Sequence, residues 1–457
     1  MLLSSNRITP YNKRDNRHQF NNNIDSVHMT RSSRPGFFLA TVLLFLPLPG
    51  YPVETPAQDA PGPDYRTLDA HALAAPASVQ ASFKSLALWL TGPCHSDEEK
   101  ARVIFRWITQ NIEYDVDALL SGNPMRGNAE DALRTRRGVC EGYAGLFMEL
   151  ARASGIKTAK VSGFAKGYGY SPGEPLGNVP NHSWNAVSIN GRWRLIDCTW
   201  GAGYIGNDRK FHHAFDPHFF FTPPREFIYD HLPEKEDWQL LDHPRSRAEY
   251  EREVYVKPGF FALGLTLGEY STGTLRADGE VLVRLGITHP IAGVAALFKG
   301  DRNTDDRYAF VQDELNALVV RVTPPDTGEH TLRLFAKASA DTGMYAWILD
   351  YRIESSRRSK DFPVYPRKFS AFDAGNVRLI TPISGVLKGG TGQQFRLKIP
   401  WAERAAVVVN ESWTYLERDG EDMTGEVTIQ PGSVTVCAKY PGRKNEEWDT
   451  LLEYKGK

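Results

Sequence analysis

Cysteine is scarce in this chain: four residues, Cys94, Cys140, Cys198 and Cys437, in a length of 457. That is too few for a disulfide framework in a chain of this size. No sign of charge predominates either. The formal net charge is −1, so no overall basic field recruits nucleic acid, and no basic–aromatic face stands out. There is no P-loop, no G-x-G-x-x-G after a strand and no zinc-ribbon spacing, which leaves no cradle for a nucleotide and no evident cofactor or metal. The apolar run Phe37 to Leu48 is twelve residues long, too short to span a bilayer. What remains is ordinary globular material, 41% hydrophobic and 24% charged, long enough for two to four domains.

That short apolar run follows a basic segment starting at Met29, "MTRSSRPG". The pair suits a signal peptide at about 29–50, with Met29 as the true start and 1–28 as upstream sequence. "YPVETPAQDAPGPDY" then reads as a Pro/Ala-rich linker. Residues 1–63 are therefore expected to be tail, signal and linker, and the protein to be secreted or periplasmic, without an integral membrane span.

Residues 64–245 read as α+β. In "SDEEKARVIFRWITQNIEYD", Ser96 and Glu99 make a capping box, and Val103, Ile104, Trp107 and Ile108 form one apolar stripe. "GVCEGYAGLFMELARASGI" is a second helix, with Tyr143, Phe147 and Leu150 at helical spacing and Gly155 at the C′ position. "KTAKVSGFA" is a strand. The Gly/Pro-rich "KGYGYSPGEPLGNVPN" after it borders a cleft. Beyond about residue 250 the rhythm changes to short alternating segments such as "EVLVRLGIT" and "HTLRLFAK", the pattern of antiparallel β-sandwiches. Thr331–Ile353 also matches Ser433–Gly456, aligning Ala336-Lys337 with Ala438-Lys439, Trp347 with Trp448 and Tyr351 with Tyr454. A repeat of about 102 residues is the size of one immunoglobulin-like sandwich. Two tandem sandwiches with separate cores are expected, at 253–357 and 363–457, joined by "SSRRSKDFP".

The chemistry centres on "NHSWNAVSINGRWRLIDCTWG", Asn181 to Gly201. Asn190-Gly191 is the strongest short hairpin signal, since a type I′ turn needs φ > 0 at both central residues. Ile189 then pairs with Arg192, and continuing the register sets Trp184 opposite Asp197 and His182 opposite Thr199. His182 and Asp197 become diagonal neighbours on one sheet face, about 7 Å apart at Cβ, within reach of an imidazole–carboxylate hydrogen bond. The pair reads as two-thirds of a triad, or as a polar pair at a sheet end. Cys140, at the start of the second helix, supplies the missing member. A helix N-terminus favours a thiolate, and a neighbouring imidazolium adds to it. Gly138 and Gly142 leave room there for a substrate backbone.

Other residues are weaker candidates. Trp184, on the triad's face, and Trp200 either wall a substrate groove or pack in the core. Glu141 touches substrate or simply answers the helix dipole. Cys198 faces away from Asp197 and reads as core. "HHAFDPH" brings His212, His213 and His218 close in sequence, a weak metal signal without a helical H-x₃-H.

"RRGVCEGYAGLFMELARASGI" followed by "NHSWNAVSINGRWRLIDCTWGAGYI" resembles the transglutaminase-like superfamily. The wording "NHSWNAV" and "LIDCTWGAG", and a segment like "FFFTPPREFIYDHLPEKEDWQLL" (Phe219–Leu241), resembles its kyphoscoliosis peptidase branch. The resemblance covers about 64–245 strongly and the C-terminal half loosely. It implies an α+β papain/transglutaminase-like core followed by two all-β immunoglobulin-like sandwiches, with Cys140, His182 and Asp197 as catalytic triad. The implied activity is that of a thiol enzyme acting on protein or peptide amides, foremost a peptidase, with transglutaminase cross-linking or a non-catalytic scaffold as alternatives; the segment from Met29 adds the expectation that it is exported. The implied partners are a protein or peptide substrate and, through the sandwiches, a protein or cell-wall component; no cofactor is implied. The export signal is a departure, since the branch's animal members look cytoplasmic, so their cellular roles do not carry over.

Overall fold

The computed structural model describes residues 64–121, 127–442 and 447–457. The expected signal peptide and linker lie outside the described residues. Among those residues no helix is long and apolar enough to cross a membrane.

The N-terminal part packs helices on a five-stranded antiparallel sheet. In spatial order its strands are Phe220–Thr222, Arg192–Ile196, His182–Ile189, Thr158–Ala165 and His231–Pro233. Helix Asp97–Asn111 buries the predicted stripe Val103, Ile104, Trp107 and Ile108. Each such large side chain, fully buried, contributes about 1.5–3 kcal/mol by removal from water. At its start Ser96 Oγ accepts from the Glu99 N–H at 3.2 Å, but Glu99 takes the N–H of His95 at 2.5 Å, one residue earlier than a reciprocal box. Helix Cys140–Ala153 buries Tyr143, Phe147 and Leu150, and Gly155 follows it at φ 76.

The hairpin turn forms as expected, with Asn190 at φ 50 and Gly191 at φ 77, and Ile189 paired with Arg192. The ladder stops at Asn185–Ile196, however. Asp197 and Thr199 are not strand residues. The Asp197 carboxylate accepts from the N–H groups of Thr199 (2.7 Å) and Trp200 (3.1 Å), and this cap turns the chain into helix Cys198–Ala202.

The C-terminal half is β-rich, as the sequence implies. One unit faces a six-stranded sheet with a four-stranded one, and the next folds one continuous nine-stranded sheet about its own core. The repeat is a hairpin, Gly328–Ala338 with Ala346–Ser355 and Gly432–Lys439 with Asp449–Gly456. Both copies bulge at the matching place, Leu334/Phe335 and Val436/Cys437, and both pair a tyrosine across the ladder, Tyr351 with Leu332 and Tyr454 with Val434. By register Trp347 matches Thr450, not Trp448, which precedes its strand. The two cores also meet. Phe310 of the first unit is buried in the core of the second, against Tyr365 and Phe372. Gln312 beside it exchanges two hydrogen bonds with the backbone of Leu379.

Candidate active site

Two polar clamps position the cysteine-bearing helix. Ser183 Oγ donates to Glu141 at 3.0 Å, and Asn185 Nδ2 donates to the Ala144 carbonyl at 3.0 Å. Both tie the first turns of helix Cys140–Ala153 to the strand that carries His182. Glu141 is also ion-paired with Lys160, so its role here is structural. Val139 precedes the helix in extended conformation and offers no capping side chain. Cys140 is the first helical residue and is 1% exposed. Gly138 and Gly142 serve packing and not substrate: a Cβ on either would lie against Ala132 Cβ of helix Ala129–Thr135, at 3.5 and 3.4 Å.

His182, Asp197 and Cys140 come together. His182 Nε2 lies 2.7 Å from Asp197 Oδ2, and Cys140 is close enough to the His182 ring to act on its charge. Burial alone would strip the proton from His182, but the Asp197 charge and hydrogen bond, then Cys140, outweigh it and raise its proton affinity above that of an ordinary histidine. Burial likewise works against the Asp197 anion and is outweighed by His182 and His231, which hold its carboxyl below the usual range. The other thiols are kept neutral by burial: Cys94 is pushed up to about 11, Cys198 well above its ordinary value, and Cys437 upward.

The sequence reading missed a fourth member. His231 donates toward the same Asp197 oxygen, Nε2 to Oδ2 at 3.0 Å, and its Nδ1 lies 2.6 Å from Asp230 Oδ1. It arrives from the edge strand His231–Pro233, paired with Ala165 of the intervening strand, whose Gly163 pairs with His182 on the other side. Its ring is boxed by Phe227 (4.0 Å between centroids), Trp200 (4.4 Å) and Trp184 (5.1 Å). Trp184 is core and not groove wall, since it is 1% exposed. Trp200 stays half-buried beside His182 at 5.5 Å, and Gly167 of the Gly/Pro-rich loop lies against it. Lys257 of the first sandwich reaches toward the Trp200 ring from 5.9 Å.

His212, His213 and His218 do not converge. His212 pairs with Asp208, and His218 stacks on Phe261. Among the described residues one group has metal-ligand proximity: ligand atoms of His182, Asp197 and His231 lie within 4.8 Å of one another. Those atoms are already bonded to each other through Asp197 Oδ2, so the closeness is that of a hydrogen-bonded chain.

Residues 84–198 match the family model described as the transglutaminase-like superfamily, and residues 247–366 match the KY-like, immunoglobulin-like domain. Kyphoscoliosis peptidase of Mus musculus is 33% identical, over 64% of this chain and 43% of its own length. Hillarin of Drosophila melanogaster is 33% identical over 64% of this chain and 39% of its own. Lim and transglutaminase domain protein ltd-1 of Caenorhabditis elegans is 30% identical, over 62% and 42%. The chain spans about two fifths of the length of these curated relatives. It therefore carries a core of the transglutaminase-like superfamily followed by a KY-like immunoglobulin-like domain, with kyphoscoliosis peptidase among its homologues.

Proposed function

We propose that the chain is a cysteine-dependent enzyme that cleaves protein or peptide amide bonds. The observation that carries this reading is the buried group Cys140, His182 and Asp197, in which an imidazole beside the thiol meets a carboxylate at 2.7 Å. His182 takes the proton of Cys140, and the sulfur adds to the amide carbonyl. His182 then gives that proton to the departing amine, leaving a thioester on Cys140. Asp197 orients the ring and stabilises its charged form throughout. Water, deprotonated by His182, attacks the thioester carbonyl, and the acid leaves with the thiol restored. A lysine amine in place of water would give a cross-link, the transglutaminase alternative.

The test is to incubate wild type and Cys140→Ala with a peptide mixture and follow both cleavage and acyl-Cys140 by mass spectrometry. Cleavage that needs Cys140 supports the peptidase. Incorporation of a labelled amine into glutamine substrates without cleavage would replace it with the transglutaminase. Neither product would leave the scaffold reading. Export belongs to the same proposal and is supported by the basic-then-apolar segment from Met29; N-terminal sequencing of protein recovered outside the cytoplasm tests it. A protein or cell-wall partner for the sandwiches is also proposed, supported by exposed Trp413 and Tyr415, 6.4 Å apart with Arg404 stacked on Tyr415.

A further inference from the structure

His231 is fully buried, and both of its ring nitrogens face carboxylate oxygens, Asp230 Oδ1 at 2.6 Å and Asp197 Oδ2 at 3.0 Å. A neutral imidazole has one N–H and one lone pair. Between two carboxylates, one of the two contacts would then set lone pair against lone pair where water does not reach. A doubly protonated ring satisfies both. Lys166 and Lys257 lie near Asp230: burial lowers both, and the Asp230 charge draws each back toward its charged form. The further charges around those lysines are Glu253, Glu251 and Arg245 near Lys166, and Asp350 and Arg333 near Lys257. Among the described residues the aromatic rings around His231 are those of Phe227, Trp200, Trp184, Phe219 and, at 5.2 Å, His182.

One carboxylate oxygen thus serves two imidazoles. A buried carboxylate facing His182 alone would hold the His182 proton tightly. A second cation on the same oxygen divides that attraction, and its charge also repels the charge on His182. The carboxylate cannot swing away in response, because its other oxygen caps the helix at Thr199 and Trp200. We propose that His231, gripped by Asp230, is a positioning residue of the thiol site: it shares the Asp197 oxygen that orients His182 and so eases release of the His182 proton to the departing amine. This rests on the thiol-enzyme reading of Cys140 and His182.

The test compares alkylation of Cys140 in the full chain by iodoacetate and by iodoacetamide across pH. An imidazolium beside the sulfur favours the anionic reagent, so the ratio of the two rates falls where His182 loses its proton. In His231→Phe, which keeps a flat ring against Phe227 and Trp200, the fall should move to higher pH by about one unit. Asp230→Asn should move it the same way by less, because it weakens the charge on His231. An unmoved or downward-moved fall in these variants, with cooperative melting retained, overturns the proposal. If His231→Phe does not fold, Asp230→Asn alone decides by the same criterion. A wild-type ratio that ignores pH and is unchanged in His182→Ala would instead overturn the thiol-site reading, and the role of His231 with it.

Discussion

Asp197 holds His182 with one carboxylate oxygen and caps the helix after it with the other. Oδ2 lies 2.7 Å from His182 Nε2, while Oδ1 accepts from the Thr199 and Trp200 N–H groups. Asp197→Asn can keep the cap through its amide oxygen, but it turns an N–H₂ toward two ring nitrogens. The fold should survive, and turnover should drop by about 10³–10⁴-fold with little change in substrate affinity. Asp197→Ala also loses the cap and should cost about 1 kcal/mol more in stability. Turnover of Asp197→Asn within tenfold of wild type would deny Asp197 its orienting role.

The same pair makes stability depend on pH, with opposite signs at the two ends. The Asp197 carboxyl is held below its ordinary 3.8, so its contribution is present above 3.8 and lost as pH falls further. His182 is raised above its ordinary 6.5, so its contribution is full below 6.5 and lost as pH rises from there. Lys166 and Lys257 run the other way on the alkaline side. Burial lowers each to about 8, and the penalty they impose is relieved only above that value. Between pH 6.5 and 8 the His182 effect therefore stands clear. Wild type should lose about 1–2 kcal/mol over that interval relative to His182→Ala in denaturant titrations. Parallel curves would contradict the pairing.

Gly163 is the place where the edge strand must come close. A Cβ there would lie 2.3 Å from the Leu232 carbonyl oxygen and 2.5 Å from Trp184 Cη2. Gly163→Ala should destabilise by about 1–3 kcal/mol or more and push the His231 strand outward. Its melting curve checks the first, and a shift in the iodoacetate-to-iodoacetamide ratio matching that of His231→Phe checks the second. A melting curve equal to wild type would refute the tight packing.

The two sandwiches have their own cores, yet the contact between them should make them unfold as one unit. Phe310 is buried in the second core, and Gln312 is bonded to Leu379. Phe310→Ala should cost about 3–5 kcal/mol and lower a single calorimetric transition for both. Two separate transitions, with only the first displaced, would show that this contact does not couple them.

The site was legible where local rules reach. Asn190-Gly191 set the hairpin register, and that register brought His182 to Asp197 although the ladder ends at Ile196. The direction of the error was readable too, since Asp ahead of Cys-Thr-Trp is a helix cap as readily as a strand residue. His231 was not legible by these means. Its strand pairs with Thr158–Ala165, far back in the chain, through only three residues, too short for any periodicity. The signal available was a histidine with an adjacent Asp230 in "FIYDHLP", ahead of a proline that marks an edge strand. Trp347 was matched to Trp448 because residue identity outweighed the bulge, which only the backbone reveals. Phe310 faces the neighbouring unit, and alternation within its own strand carries no information about what lies beyond.

The central claim is that His182 activates Cys140, and the pH–rate profile of Cys140 alkylation by iodoacetamide tests it most directly. The other three thiols are held neutral by burial, so labelling near neutral pH, mapped by mass spectrometry, reports on Cys140. With the imidazolium beside it, wild type should label rapidly and at a nearly constant rate below the range where a free thiol ionises, near 8.5. His182→Ala should label slowly at neutral pH and gain rate only as pH rises toward that range. Superimposable profiles for the two proteins would mean that the imidazole does not act on the thiol, and that the chain from Cys140 through His182 to Asp197 is structural alone.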